Sequence, residues 1–245
     1  MRIERFAQLN QYITMERHIL SIPRAIVLFC LALFGGYCTS EGPILPPTYS
    51  QDFHEIRYGK RQVYADNDAK VWYDYTNLRA RYDYMEPQHE RLCEGQGLSP
   101  EKPEDTCHII FAASGAMYTH YPNQKTCCRY CEPGIFCSVL RPDWMINGTF
   151  IGTEVVEGYE CNVYSIPGGQ TNYWMQRDDG TPCRYYVNIP TDNLPLMHWN
   201  KTYDQNSWSL NPIPDSIFDV PEYCESPCPS PKCPPVCPGK KLQFF

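Results

Sequence analysis

Cysteine is the residue type with the most chemistry to offer in this chain. Cys128-x-x-Cys131 has the spacing of a zinc-ligand pair, and Cys224, Cys228, Cys233 and Cys237 set four more thiols within 14 residues. A structural zinc needs four thiolate or imidazole ligands converging on one point. An oxidising compartment pairs the same thiols with one another instead. The choice between the two chemistries therefore rests on where the chain is sent.

The N-terminus addresses that. Ala25 to Phe34 is an unbroken apolar run with Arg17, His18 and Arg24 ahead of it and Gly35, Gly36, Thr39 and Ser40 behind it. A basic flank, a run of about ten apolar residues and a small-residue exit form a secretory signal peptide, with Met1 or Met15 as its start. The run is shorter than the ~20 residues that cross a bilayer, so no stable membrane span is expected once residues 1–40 are removed. Of the 14 cysteines, Cys30 and Cys38 leave with the signal. The other twelve are an even set, read here as disulfides: Cys93, Cys107, Cys127, Cys128, Cys131, Cys137, Cys161, Cys183, Cys224, Cys228, Cys233 and Cys237. Asn147-Gly148-Thr149 and Asn200-Lys201-Thr202 are glycosylation sequons in loop-like surroundings. The net charge of −7 over 245 residues, with no basic run, excludes nucleic acid as a partner.

Other candidate chemistries lack a setting. Asp66-x-Asp68 has the form of a metal-holding acidic pair, but such pairs end a parallel strand and this chain shows no βαβ unit; Asp66-Asn67-Asp68 is read as a polar turn. His54, His89, His108, His120 and His198 lie near no nucleophile signature, and no Gly-x-Ser-x-Gly elbow is present. Glu154, Glu157 and Glu160 flank one hairpin as solvated edge residues. No catalytic set, metal site or cofactor is assigned.

The elements that would position these residues are strands. Val71, Tyr73 and Tyr75 alternate with Lys70, Trp72 and Asp74, and Leu78, Ala80, Tyr82 and Tyr84 with Arg79, Arg81 and Asp83, the period of half-buried strands. Hairpins are expected at Ser114-Gly115 and Glu157-Gly158, with further strands over 171–177 and 183–189. Residues 86–105 and 191–200 are the places left for helix, interrupted by proline, and 122–148 reads as an irregular loop. The expected fold is mainly β, a single curved antiparallel sheet over 41–224, stapled by disulfides. Residues 225–245 form a Cys/Pro-rich tail. Cys161 and Cys183 are expected to tie the sheet to the Cys127–Cys137 loop, and Cys224 to bridge within the domain. The odd set Cys228, Cys233 and Cys237 leaves either a bond back to the domain or a thiol free for a disulfide-linked homodimer. Trp72, Tyr173, Trp174, Tyr185 and Tyr186 are the candidate wall of an apolar concavity.

Val71-Trp72-Tyr73-Asp74-Tyr75 with Asn77 and Arg79, Leu140-Arg141-Pro142-Asp143-Trp144 with Phe150-Ile151-Gly152 and Cys161-Asn162-Val163-Tyr164, and Val220-Pro221-Glu222-Tyr223-Cys224 together resemble a family of secreted plant and protist proteins, over residues 53–224. Some members carry a glycosyl-transferase label that these residues do not support. The hairpin from Gly152-x-Glu154 to Tyr164 is also similar to the ependymin-related proteins. That second resemblance implies an extracellular glycoprotein with a curved sheet, like that of bacterial lipoprotein carriers, around a hydrophobic pocket. Neither resemblance supplies catalytic residues; Cys161 maps to a family cysteine and implies a structural disulfide. The expected function is binding of a hydrophobic or amphipathic small molecule or lipid by a secreted glycoprotein. The alternatives are a structural or adhesive extracellular protein cross-linked through its tail, and a glycan-acting enzyme.

Overall fold

The computed structural model describes residues 42–229, apart from 60–61, 86, 88–89, 95–96, 103, 132–136, 169, 190–196 and 225. The signal-peptide reading, both start residues, His89, Cys233 and Cys237 lie outside the described residues.

Among the described residues eleven strands form one antiparallel sheet: β1 (Thr48–Gly59), β2 (Gln62–Asp74), β3 (Arg79–Tyr84), β4 (Cys107–Phe111), β5 (Met117–Tyr121), β6 (Thr126–Cys131), β7 (Thr149–Val156), β8 (Tyr159–Ile166), β9 (Thr171–Gln176), β10 (Pro182–Ile189) and β11 (Met197–Tyr203). Their order across the sheet is β6-β5-β4-β3-β2-β1-β11-β10-β9-β8-β7. The chain starts in the middle, meanders outward to β6, crosses to the far edge at β7, and meanders back until β11 pairs with β1. The sheet is open, since β6 and β7 do not pair.

Alternation decides which face each residue serves. Tyr49, Gln51, Phe53, Glu55 and Arg57 of β1 are buried on one side, in register with Ala65, Ala69, Val71 and Tyr73 of β2 and with Trp199, Lys201 and Tyr203 of β11. This inner face carries the main core, and three connecting segments cover it. Residues 42–47 bring Leu45; the segment around the helical turn Arg91–Glu94 brings Leu92 and Cys93; the crossover between β6 and β7 brings Cys137, Val139, Trp144 and Met145. The crossover is tied down by Tyr73 Oη donating to the Leu140 carbonyl at 2.7 Å and by the Leu45 amide donating to the Pro142 carbonyl at 2.9 Å.

Several expectations are corrected. Asp66-Asn67-Asp68 is the middle of a 13-residue strand, not a turn. Asp66 and Asp68 point outward on either side of His54 (3.0 and 2.7 Å), while Asn67 points into the core. The charged residues obey the strand period, and β2 pairs with β1 from Gln62 opposite Gly59 onward. Residues 197–203 are a central strand, so Asn200 lies between Ile56 and Tyr186 rather than in a loop; Asn147 is exposed in a turn. Strand β6 runs through the segment read as irregular.

Among the described residues ten cysteines pair: Cys93 with Cys107, Cys127 with Cys224, Cys128 with Cys228, Cys131 with Cys137, and Cys161 with Cys183. Cys224 does bridge within the sheet domain. Cys161 and Cys183 bond to each other across β9 instead of to the Cys127–Cys137 loop. A register shift between Pro182 and Arg184 turns Cys183 to the outer face, where Cys161, Val163, Met175 and Val156 form a small second core. An extra residue in a strand re-aims its side chains in this way. Both thiols of the Cys128/Cys131 pair are used in disulfides, and no group of three or more metal-ligating side chains occurs among the described residues.

Candidate functional site

The inner face of β1 carries charge where its period calls for apolar residues. Glu55 and Arg57 continue the phase of Tyr49 and Phe53, and Lys201 sits between Trp199 and Tyr203 on β11. Glu55 is fully buried, Glu90 is 1% exposed, and Arg57 and Lys201 are each 8% exposed. Burying such groups costs several kcal/mol each unless partners replace water. The partners are present. Arg57 Nε donates to Glu55 Oε1 at 2.7 Å, and its guanidinium also pairs with Glu90. Lys201 Nζ stands 3.2 Å from Glu55 Oε2, which also accepts from Tyr84 Oη at 3.3 Å. Glu90 Oε1 accepts the Leu92 amide at 3.1 Å, so the helical turn Arg91–Glu94 fixes the second carboxyl.

Aromatic rings wall these charges. Lys201 Nζ lies 4.5 Å from the Phe53 ring centre and 5.2 Å from those of Tyr82 and Trp199, and the Arg57 guanidinium lies 4.6 Å over Trp199. An ammonium among three rings is held by their quadrupoles as well as by its carboxylate. Burial raises the Glu55 pKa, but the charges of Lys201 and Arg57 outweigh it and leave Glu55 below the ordinary carboxylate range. Glu90 goes the other way. Burial and the Glu55 charge push it up to about 8 against the pull of Arg57.

Two polar side chains at this site have no hydrogen-bond partner. Asn67, opposite Glu55 on β2 and 1% exposed, leaves both Oδ1 and Nδ2 unpaired, and Trp199 Nε1 is buried and unpaired beside Arg57. A buried polar atom without a partner costs about 1–3 kcal/mol. Ala65 and Ala69, on either side of Asn67 in the same phase, bring little side-chain bulk to this stretch of β2.

The five aromatics singled out from sequence divide between the faces. Trp174 and Tyr185 lie on the inner face, 3% and 7% exposed, each with its ring centre 5.8 Å from Trp144 in edge-on contact. Their polar atoms are paired, Trp174 Nε1 with Gln176 and Tyr185 Oη with Asn172. Tyr173 and Tyr186 lie together on the outer face with centroids 5.6 Å apart, and Tyr186 Oη is 2.8 Å from His198 Nδ1. Trp72 is also outside, beneath Lys70 and Arg81. Sequence reasoning missed Glu55, Arg57, Asn67, Glu90, Trp199 and Lys201. For all but Glu90 a signal exists: each is in phase with buried apolar residues of its strand.

The outer face holds a second polar cluster. Arg81 forms a two-point pair with Asp83 (2.6 and 2.8 Å), contacts His108 Nδ1 at 3.0 Å, and donates to the Ile217 carbonyl at 2.9 Å. The His108 and His120 rings meet edge-on at 5.2 Å, and His120 Nε2 is 2.8 Å from Tyr223 Oη. Burial and the Arg81 charge push His108 down to about 3 and His120 to about 4. This cluster fastens the C-terminal segment to the sheet. Elsewhere on that face a recess of about 510 Å³ is lined in part by Asp52, His54, Asp68 and Lys70 and includes none of the five aromatics.

No protein-family model and no curated protein matches the chain. Among solved structures it is similar to an uncharacterized conserved protein from Thermus thermophilus, at 7% identity over 73% of this chain and 88% of that one, with a TM-score of 0.43. It is also similar to a LolA superfamily protein from Nitrosomonas europaea (10% identity, 72% and 93% covered, TM-score 0.39) and to a DUF1329 family protein from Desulfovibrio piger (9%, 71% and 90%, TM-score 0.32). At these scores the likeness carries no argument about function.

Proposed function

We propose that this chain is a secreted binding protein that takes up an amphipathic molecule on the inner face of its sheet. The observation that carries the reading is Asn67. Its amide is buried with neither end satisfied, opposite the Glu55 carboxylate that Arg57 and Lys201 already pair. A core that served stability alone would place an apolar residue there, as the neighbouring positions Ala65 and Ala69 do. Trp199 Nε1, unpaired on β11 opposite Arg57, makes the same demand for an outside partner. The apolar part of the ligand would lie against Phe53, Tyr82 and Trp199, and its polar part would meet Asn67.

The ten cysteines paired among the described residues support an oxidising compartment for this reading, and a signal over residues 1–40 with glycans on Asn147 and Asn200 would accompany export. The test uses the uncharged dye Nile red with delipidated full-length protein. Saturable, stoichiometric binding is expected, with affinity lowered at least fivefold by Trp199→Ala. Fluorescence that rises without saturating, or a Trp199→Ala variant that binds like the parent, sinks the proposal.

A further inference from the structure

Among the described residues, β7 pairs with β8 alone, so the backbone N–H and C=O groups along its other side meet no strand. Proteins usually close such an edge with charge, proline or a covering segment, as the segment Ser226–Cys228 covers β6 here. Strand β7 contains no proline, lysine or arginine. Phe150, Ile151 and Val155 are exposed on it, and its single charge, Glu154, is taken by Arg184 at 2.8 Å.

A bulge gives this edge a symmetry. The pairing with β8 runs from Phe150–Tyr164 straight to Gly152–Val163, so Ile151 is an extra residue, and Gly152 takes the kink at φ 141°. Phe150, Thr153 and Val155 consequently share the face of Tyr164, Asn162 and Glu160, while Gly152, Glu154 and Val156 share the face of the second core. In ladder positions Phe150 stands two before Thr153 and Val155 two after it. A second copy laid antiparallel along β7, with a two-fold axis at Thr153, would therefore set each Phe150 against the other copy's Val155, on one face. On the other face each Glu154 would meet a Gly152, which brings neither charge nor bulk.

We propose that β7 is the interface of a two-fold dimer, and that its occupant is a second copy of this chain. An isologous contact needs one patch that complements itself, and the order Phe150, Thr153, Val155 does so. Apolar cross-strand pairs and the open backbone groups supply the attraction. The charges agree, because Arg184 neutralises Glu154 within each copy and neither β7 brings an uncompensated ion to the other.

Sedimentation velocity of the full-length protein over about 1 μM to 1 mM, the span of weak to moderate affinities, should show monomer giving way to dimer. Val155→Lys changes an exposed side chain and sets an ammonium against the other copy's Phe150; it should weaken association at least tenfold. Thiols test the register, in a Cys233→Ser, Cys237→Ser background so that a tail-linked dimer cannot be mistaken for the product. Thr153→Cys faces itself across the axis with Cα atoms about 5 Å apart, within disulfide reach, and should give a reducible dimer. Val155→Cys places its two thiols four ladder positions apart, about 13 Å, and should not. Should the added thiols disturb the native disulfides, the comparison of Val155→Lys with the parent decides alone. A monomer at every concentration, a dimer that Val155→Lys leaves intact, or equal cross-linking from positions 153 and 155 overturns the proposal.

Discussion

His108 and His120 show how a single side chain becomes a pH response. His108 is held against Arg81 and faces Asp83, while His120 packs on the His108 ring and faces Tyr223. In the unfolded chain each would take a proton near pH 6.5; in the folded protein burial and the Arg81 charge delay that to about 3 and about 4. The folded pKa values are depressed, so the folded state binds fewer protons than the unfolded one across this interval. Their contribution to stability is complete above about pH 6.5 and is lost as pH falls toward 4. Melting temperature should therefore drop on acidification from pH 7 to 4.5, and His108→Asn with His120→Asn should flatten that slope. An unchanged slope in the double variant would place the acid sensitivity elsewhere. Glu90 has the opposite sign, since its raised pKa makes the folded state hold a proton that the unfolded chain releases near 4.5.

At the scale of elements, the two ends of the sheet are treated differently. Strand β7 ends the sheet with Phe150, Ile151 and Val155 exposed at 43%, 44% and 66%. Strand β6 is covered: the Arg129 amide donates to the Ser226 carbonyl at 2.9 Å and the Cys228 amide to the Arg129 carbonyl at 3.0 Å, a short parallel pairing locked by Cys127–Cys224 and Cys128–Cys228. Covering an edge removes a template for pairing with another chain. The two disulfides close nearly the same loop, with sequence separations of 97 and 100. Once either is formed, the other closes only a ring of about six residues, worth about 2 kcal/mol in the chain-entropy account. Removing one pair by Cys→Ser substitution should thus cost about 2 kcal/mol in urea unfolding. Removing both should cost more than twice that, because only then does the long loop open, worth about 4.7 kcal/mol. Additive losses would show that the tail is held by its packing on His120 and Arg79 rather than by loop closure.

Across the whole molecule, one segment has to reach from β6 to β7, the full width of the sheet. The crossover repays that length by carrying Val139, Trp144 and Met145 onto the inner face, where Trp144 meets Trp174 and Tyr185. Trp144→Ala should lower stability by about 3 kcal/mol in denaturant titrations, the usual penalty for emptying a large aromatic site; a loss below about 1 kcal/mol would mean the crossover is a passive link. Local pattern was enough to read the class of this protein. Period-two alternation marked the strands around Val71–Tyr84, the turn at Glu157-Gly158 followed from its glycine, and the even cysteine count called for disulfides. Those signals are local, and an antiparallel meander is a chain of local pairings. Asp66-Asn67-Asp68 was misread because polarity was taken as a turn signal where the period continued through it. The pairing of Cys161 with Cys183 depended on a one-residue shift in β10 that no local preference announces. The inner site was decided by tertiary structure alone. Glu55 and Lys201 are 146 positions apart and become neighbours only because the second meander returns to pair β11 with β1. Glu90 reaches them from a connecting segment. In sequence each is an isolated charge; burial against opposite charge and aromatic rings, which only the pairing of the two meanders through β1 and β11 supplies, makes them one site.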